Sequence, residues 1–329
     1  MFMMRFSMRA GTSDPAARAA LYTSTLEMAR WGEERGCLAV VLSQHHASPD
    51  GYLPSPVPMA SAVAAATSTI AINVAALLLV FYEPIKLAED MAVVDLISGG
   101  RVSYVIGIGY RDTEFDMFGV DRARRGPLTE ERIGVLRRAW TGEPFEFEGR
   151  PVQVTPLPYS PGGPTLLYGG GSVAAARRAA RLGMFFVAEA NKPELEVAYQ
   201  EESERLGIPP LGCSLPSVSM PLTVFVADDP DRAWAELGSY MFADAELYGQ
   251  WNAHRTGVAS ISHAGSVDEL RNEEGSYQVL TPDQALALVR AGMPLALQPL
   301  VGGLPPDLAW PYLEAAAAVT AAAQASPRP

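Results

Sequence analysis

Cysteine is scarce in this chain: Cys37 and Cys213 are the only two in 329 residues. Two thiols cannot build a disulfide framework, so the expected setting is a reducing cytoplasm. Positive charge is also short, with 25 Lys and Arg against 37 Asp and Glu, a net of −12. Such a chain repels nucleic-acid phosphate and anionic membrane, which argues against both as partners. Long apolar runs are missing as well. The longest, "VAALLLVFY" at 74–82, is far short of the ~20 residues a bilayer span needs. The opening "MFMMRFSMRAG" has no apolar stretch of signal-peptide type; Phe2, Met4, Phe6 and Met8 alternate with Met3, Arg5, Ser7 and Arg9, as in a strand. There are four histidines, and no His/Asp/Glu set has ligand spacing, so no metal site is expected. No G-x-S-x-G elbow offers a serine nucleophile, and Cys37, leading an apolar strand, reads as buried.

What the chain does have is alternation of strand and helix. Hydrophobic residues make up 48% of it, ample for a large core. After the first strand, Asp14 reads as an N-cap, Pro15 as the first helical residue and Gly36 as the stop, with Ala19, Tyr22, Leu26 and Ala29 as the apolar stripe. "CLAVVLS" (37–43) is continuously apolar, the signature of a buried parallel strand. Helices are predicted at 57–67, 86–97 and 128–140, the last with Ile133, Leu136 and Trp140 inward. Strands are predicted at 70–80, 101–109, 164–169, 184–190, 220–228 and 294–300, and a terminal helix at 306–324. A proline- and glycine-rich loop fills 141–164. The region 229–290 reads as helical with an irregular centre at 254–266. Eight strands alternating with helices predict a (β/α)8 TIM barrel, an α/β fold of one domain with insertions; an open doubly wound sheet is the alternative.

Three stretches carry candidate chemistry. "LLYGGGSVAAARRAARLG" (166–183) places Gly169, Gly170 and Gly171 where a strand ends, then Ser172 as N-cap of a helix. Glycines admit close backbone approach, and a helix start offers free N–H groups, together an anion cradle suited to phosphate. The bland alternative is a tight turn without a ligand. Arg177, Arg178 and Arg181 read as a solvated outer face. "GIGY" (107–110) puts Gly107 and Gly109 at a strand exit, where a flat ring can lie on backbone, with Tyr110 following. "SQHH" puts His45 and His46 after the second strand. Adjacent residues in extended backbone face opposite ways, so one histidine points into the mouth and the other packs behind. Histidine there suits proton transfer near neutral pH. Ala75 and Ala76 are small enough to admit a ring beside them.

Taken in order, "SQHHASPDGYLPSPVPMASAVAAAT" (43–67), "YEPIKLAEDMAVVDLISGGR" (82–101), "GIGYRDTEFDMFGVD" (107–121) and "LYGGGSVAAARRAARLG" (167–183) resemble the bacterial luciferase-like monooxygenases, flavin-dependent TIM barrels. From about 190 to 290 little matches, as in a region that varies with substrate. The resemblance implies FMN, bound reduced, with its phosphate at Gly170, Gly171 and Ser172. The ring would lie near Val74, Ala75 and Ala76, where members often carry a non-proline cis peptide. Gly107, Gly109 and Tyr110 would line the ring or the phosphate path. His45 matches the catalytic histidine of the family's E-H-H motif, although Gln44 stands where the glutamate would be. Ile108 replaces an arginine that meets the phosphate in light-emitting members. The implied reaction uses dioxygen and reduced flavin from a separate reductase to oxygenate a small organic molecule. His45 would stabilise the oxygenating species or protonate the departing oxygen. The aromatic and apolar Tyr52, Phe81, Tyr82, Tyr110, Phe115 and Trp251 suggest a hydrophobic or aromatic substrate. A homodimer is the family expectation. The alternatives are a deazaflavin-dependent hydride-transfer enzyme of the same family and a non-catalytic flavin-binding protein.

Overall fold

The computed structural model describes residues 1–217, 221–253, 258, 260–273 and 275–325. His254, Met220 and the first part of the stretch 254–266 lie outside these described residues. In chain order the elements are β1 (Phe2–Phe6), α1 (Pro15–Glu33), β2 (Cys37–Leu42), α2 (Pro56–Ala66), β3 (Ala71–Leu78), α3 (Pro84–Ser98), β4 (Val102–Gly107), α4 (Asp112–Phe118) and α5 (Arg125–Ala139). There follow β5 (Phe145–Phe147), β6 (Arg150–Val152), β7 (Thr165–Gly170), α6 (Val173–Arg181), β8 (Phe186–Ala188), α7 (Pro193–Leu206) and β9 (Cys213–Ser214). The last are β10 (Thr223–Val226), α8 (Pro230–Trp251), α9 (Val267–Asn272), β11 (Tyr277–Leu280), α10 (Pro282–Arg290), β12 (Leu295–Leu297) and α11 (Pro306–Ala325). The chain forms two compact units, the first being Met1–Val41, Ser48–Leu53 and Pro216–Pro329, the second Leu42–Ala47 and Pro54–Leu215.

In the second unit β3, β4, β7, β8 and β9 lie side by side in that order. Each neighbouring pair is parallel, with Val74 opposite Tyr104, Tyr104 opposite Leu166 and Tyr168 opposite Phe186. The register shifts between Ala75 and Leu77, and the Ala75–Ala76 peptide is cis. Helices cover the strands with the residues the periodicity selects: Ile133, Leu136 and Trp140 are buried, and the Trp140 indole donates to the Ala88 carbonyl at 3.0 Å. Two residues of the "D…S-x-G-R" stretch are fasteners. Asp95, 1% exposed, accepts from the Ser160 amide at 2.6 Å and the Ser160 hydroxyl at 3.1 Å. Arg101 donates to the carbonyls of Ala64, Thr67 and Ile70, the orphan acceptors at and just beyond the end of α2. The loop at 141–164 contains an unforeseen antiparallel hairpin, β5–β6, three residues a side. Strands that short show less than two periods of alternation, although Glu148 and Gly149, both at positive φ, make the tight turn between them.

In the first unit the order is β11, β10, β12, β1, β2, and the described pairings are parallel. The helical reading of 229–290 needs correction. Tyr277–Leu280 is a strand in register with Thr223–Val226, four residues squeezed between Gly275-Ser276 and the capping box of α10. The stripe of α1 also differs. Ala19 and Tyr22 are exposed, and the buried residues are Leu21, Ser24, Thr25, Met28, Ala29 and Gly32. The reason is local: the Thr25 hydroxyl donates to the Leu21 carbonyl at 2.8 Å, so a nominally polar face is buried with its donor satisfied. Asp14 caps α1 as expected, accepting from the amides of Ala16 and Ala17. Cys37 is buried, and desolvation pushes its thiol up to about 12.

Candidate functional site

Beyond Leu42 the chain leaves β2 through Ser43, Gln44, His45 and His46, all under 10% exposed. Successive side chains diverge, as extended backbone requires. His45 turns toward α4 and His46 toward two phenylalanines. Gly109, at φ +73°, makes the bend that starts α4; a Cβ there would lie 3.2 Å from the Phe115 ring. Glu114, on the first turn of α4, is fully buried.

Glu114 is the centre of the site. Its Oε1 accepts from His45 Nδ1 at 2.9 Å, from the His46 backbone amide at 2.9 Å and from Arg111 at 3.2 Å. Burial pushes this carboxyl up, but the His45 hydrogen bond and charge, the His46 amide and Arg111 together hold it below the usual carboxylate range. An ionised carboxylate only accepts, so the proton between the pair resides on His45 Nδ1. The other ring nitrogen, Nε2, faces the Tyr110 hydroxyl, 3.3 Å away. The Tyr110 and His45 rings meet edge to face, centroids 5.4 Å apart.

His46 has a separate environment. Gln44 Oε1 accepts from the Leu78 amide at 2.9 Å, which orients the side-chain amide and aims Gln44 Nε2 at His46 Nε2, 2.7 Å away. Phe81 and Phe118 stack on each other and both meet the His46 ring edge to face. Burial pushes His46 below its ordinary value, keeping it neutral. Gln44 therefore serves His46, and the charged partner of His45 comes from α4. The sequence-based concern that Gln44 leaves His45 without a carboxylate is corrected by this geometry. Glu114 was visible in the "Y-R-D-T-E-F" stretch, as an acid beside Phe115 on the inner side of a short helix, but received no role.

The remaining expected positions separate into two places. Val74 is buried, and Ala75 and Ala76 are partly open beside the cis peptide. Gly107 belongs with them: a Cβ on it would fall 2.9 Å from the Ala76 Cβ, so glycine is what lets β4 pass β3 here. At the other place, Ser172 caps α6 by accepting from the Ala175 amide at 3.2 Å. Two of the three glycines have packing reasons. A Cβ at Gly169 would lie 2.9 Å from Val105, and one at Gly170 would lie 2.6 Å from Ala175. None of the three has positive φ. What this turn offers an anion is backbone: the α6 amides of Val173 and Ala174, which have no carbonyl within the helix to bond, beside Gly170, Gly171 and Ser172. The outer-face reading holds for Arg177 and Arg181, both exposed, the latter bonding Glu130 and Glu202; it is revised for Arg178, which is half-buried and bonds Glu130 and the Tyr168 hydroxyl.

One further cation escaped the sequence reading. Arg125, at the start of α5, has a buried Nε with no hydrogen-bond partner. Burial first, then the charges of Arg122 and Arg178, push it below its ordinary value. Arg122 pairs with Asp112 and Arg178 with Glu130, so the orphaned Nε of Arg125 is the donor here that suits an anionic group such as the phosphate of a flavin. Of the expected pocket aromatics, Phe81, Tyr82, Tyr110 and Phe115 lie in the second unit with His45. Tyr52 and Trp251 cluster with Tyr248 in the first unit. Among the described residues, no group of three His, Cys, Asp or Glu is placed to hold a metal ion, and no helix is long and apolar enough to cross a membrane.

The alkanal monooxygenase alpha chain of Photorhabdus laumondii is 28% identical over 193 residues, 55% of this chain and 54% of that one. The chain spans about half or less of the length of the curated relatives it matches. Among solved structures, the monooxygenase RslO1 of Streptomyces bottropensis superposes with a TM-score of 0.74 at 22% identity, covering 99% of this chain and 100% of that one. The oxygenating constituent of 3,6-diketocamphane monooxygenase of Pseudomonas putida, solved with FMN, gives 0.72 at 19%, covering 98% of each. An F420-dependent secondary alcohol dehydrogenase gives 0.61 at 17%, covering 94% of this chain and 98% of that one. These likenesses fix the fold as the luciferase-like TIM barrel. The family model described as luciferase-like monooxygenase matches residues 2–286, well past the stretches that carry the sequence resemblance, and the chain belongs to that family.

Proposed function

We propose that the protein is a flavin-dependent monooxygenase that takes reduced FMN from a separate reductase and uses dioxygen to oxygenate a hydrophobic or aromatic organic molecule. The observation that carries this reading is the buried His45–Glu114 pair, which fixes the imidazole with Nε2 beside the Tyr110 hydroxyl. Bound reduced flavin would supply the oxidation chemistry. Val74, Ala75, Ala76, Gly107 and Gly109 would hold its ring, and Gly170, Gly171, Ser172 and Arg125 its phosphate. His45 would take up or return one proton at Nε2 while Glu114 stabilises the imidazolium. Tyr110 orients the ring of His45 from the other side. Phe115, which is buried, and half-buried Phe81 would limit water beside the histidines.

The test supplies reduced FMN from an added reductase under 18O2 to a panel of apolar ketones, aldehydes and aromatics. One 18O atom in a product supports the reading. Hydride exchange with a reduced deazaflavin, and no oxygen transfer with FMN, overturns it. That second outcome is the deazaflavin alternative, for which an F420-dependent enzyme shares the fold.

A further inference from the structure

β1 has two faces. Met4 points toward α1, where a Cβ on Gly32 would come within 2.7 Å of the Met4 methyl. The opposite face carries Met3, Arg5 and Ser7. Arg5 is half-buried, and its guanidinium makes no hydrogen bond or ion pair with any described residue. Its electrostatic neighbour is the Tyr277 hydroxyl, which already donates to Asp244 at 2.6 Å. Ser7 is 3% exposed, and its hydroxyl also has no partner.

Arg9 shows the contrast. It is 2% exposed and bonds Asp50, Asp244 and the carbonyls of Ala243 and Asp244. Of these two arginines, Arg9 is compensated by carboxylates and carbonyls and Arg5 is not. A guanidinium stays charged in the protein, so withdrawing Arg5 from water without a counter-charge is unfavourable. An anion reverses that balance. A carboxylate presents two oxygens in the plane that the guanidinium fork matches, and the Ser7 hydroxyl adds a third donor. The surface at the same level is apolar: Met3 lies on that face, and its register partner on β12 is Ala296.

We propose that Arg5 and Ser7 bind the carboxylate of an otherwise apolar organic acid. The inference rests on the proposed function only in taking that acid to be the substrate; binding itself requires no turnover.

The experiment titrates the protein with octanoate and with 1-octanol by calorimetry, then repeats both with Arg5→Met. Wild type is expected to favour octanoate by about tenfold or more, the scale of one charge-assisted hydrogen bond, and Arg5→Met to lose that preference while keeping octanol. Equal affinity of wild type for the two, or an unchanged preference in Arg5→Met, overturns the proposal. Should Arg5→Met fail to fold, Arg5→Lys and Ser7→Ala take its place. Each is expected to weaken octanoate about three- to tenfold with octanol unchanged, and full octanoate affinity in both overturns the proposal. FMN is titrated in parallel. A loss of FMN affinity matching that of octanoate would assign Arg5 to the cofactor phosphate and overturn the proposal as well. Because the readout is binding, failure here leaves the 18O2 test intact, and failure there leaves this one readable.

Discussion

Glu114 decides what the two histidines can do. Replacing it with Gln keeps the shape and removes the charge, so an imidazolium at His45 loses its partner and Arg111 loses a carboxylate. We expect Glu114→Gln to lower oxygenation by roughly 100-fold, within the range for general acid–base catalysis, while reduced-flavin binding holds; stopped-flow binding and product assays separate the two. The pH dependence of stability has a definite sign. Glu114 titrates lower in the fold than its ordinary value of 4.5, so its contribution is present above that value and is lost as pH falls through the lower, folded value. Denaturant titrations of wild type and Glu114→Gln across pH 3–6 are expected to converge at the acid end. Divergence there would contradict the assignment. At this scale the sequence was legible for His45, because a histidine beyond an apolar strand stands out. It was silent on Glu114, whose neighbours in space are 68 and 69 residues away along the chain.

Among the elements, the turn from β7 into α6 answers why three glycines run together. Gly169 and Gly170 let strand, sheet and helix close up. Gly170→Val is therefore expected to destabilise by about 1–3 kcal/mol through collision with Ala175, whatever binds there. Ser172→Ala removes a cap, expected to take about 1 kcal/mol from stability and to weaken FMN more than riboflavin. Thermal unfolding and parallel titrations of the two flavins test both; equal losses for FMN and riboflavin would remove the phosphate from this corner. The parallel strands were legible because apolar residues dominate short runs such as 37–42 and 102–107, even though Leu38 is exposed and Ser103 interrupts the second. β11 was not, because "YQVL" is too short for its period to show and parallel pairing is set by distant β10. The stripe of α1 failed for another reason: hydroxyls that bond backward onto their own helix are apolar in effect.

At the scale of the whole molecule, the excess of acid matters for an anionic cofactor. A chain of net charge −12 repels FMN at long range and must hold it by local donors. Raising ionic strength from about 20 to 200 mM shortens the screening length to below ~10 Å. The association rate of reduced FMN is therefore expected to rise with salt, that of uncharged riboflavin to stay flat. Stopped-flow fluorescence measures both, and a falling FMN rate would point to a cationic approach surface. The fold class was legible from strand–helix alternation alone. The partition into two compact units was not, since no change of composition marks it.

A single oxygen, Oε1 of Glu114, grips the ring of one histidine and the main chain of the next. The two neighbours are thus yoked. Any substitution that slides α4 to retune one will drag the other with it, so natural variation or laboratory selection at this corner should arrive as correlated sets of changes in 44–46 and 111–118 rather than singly.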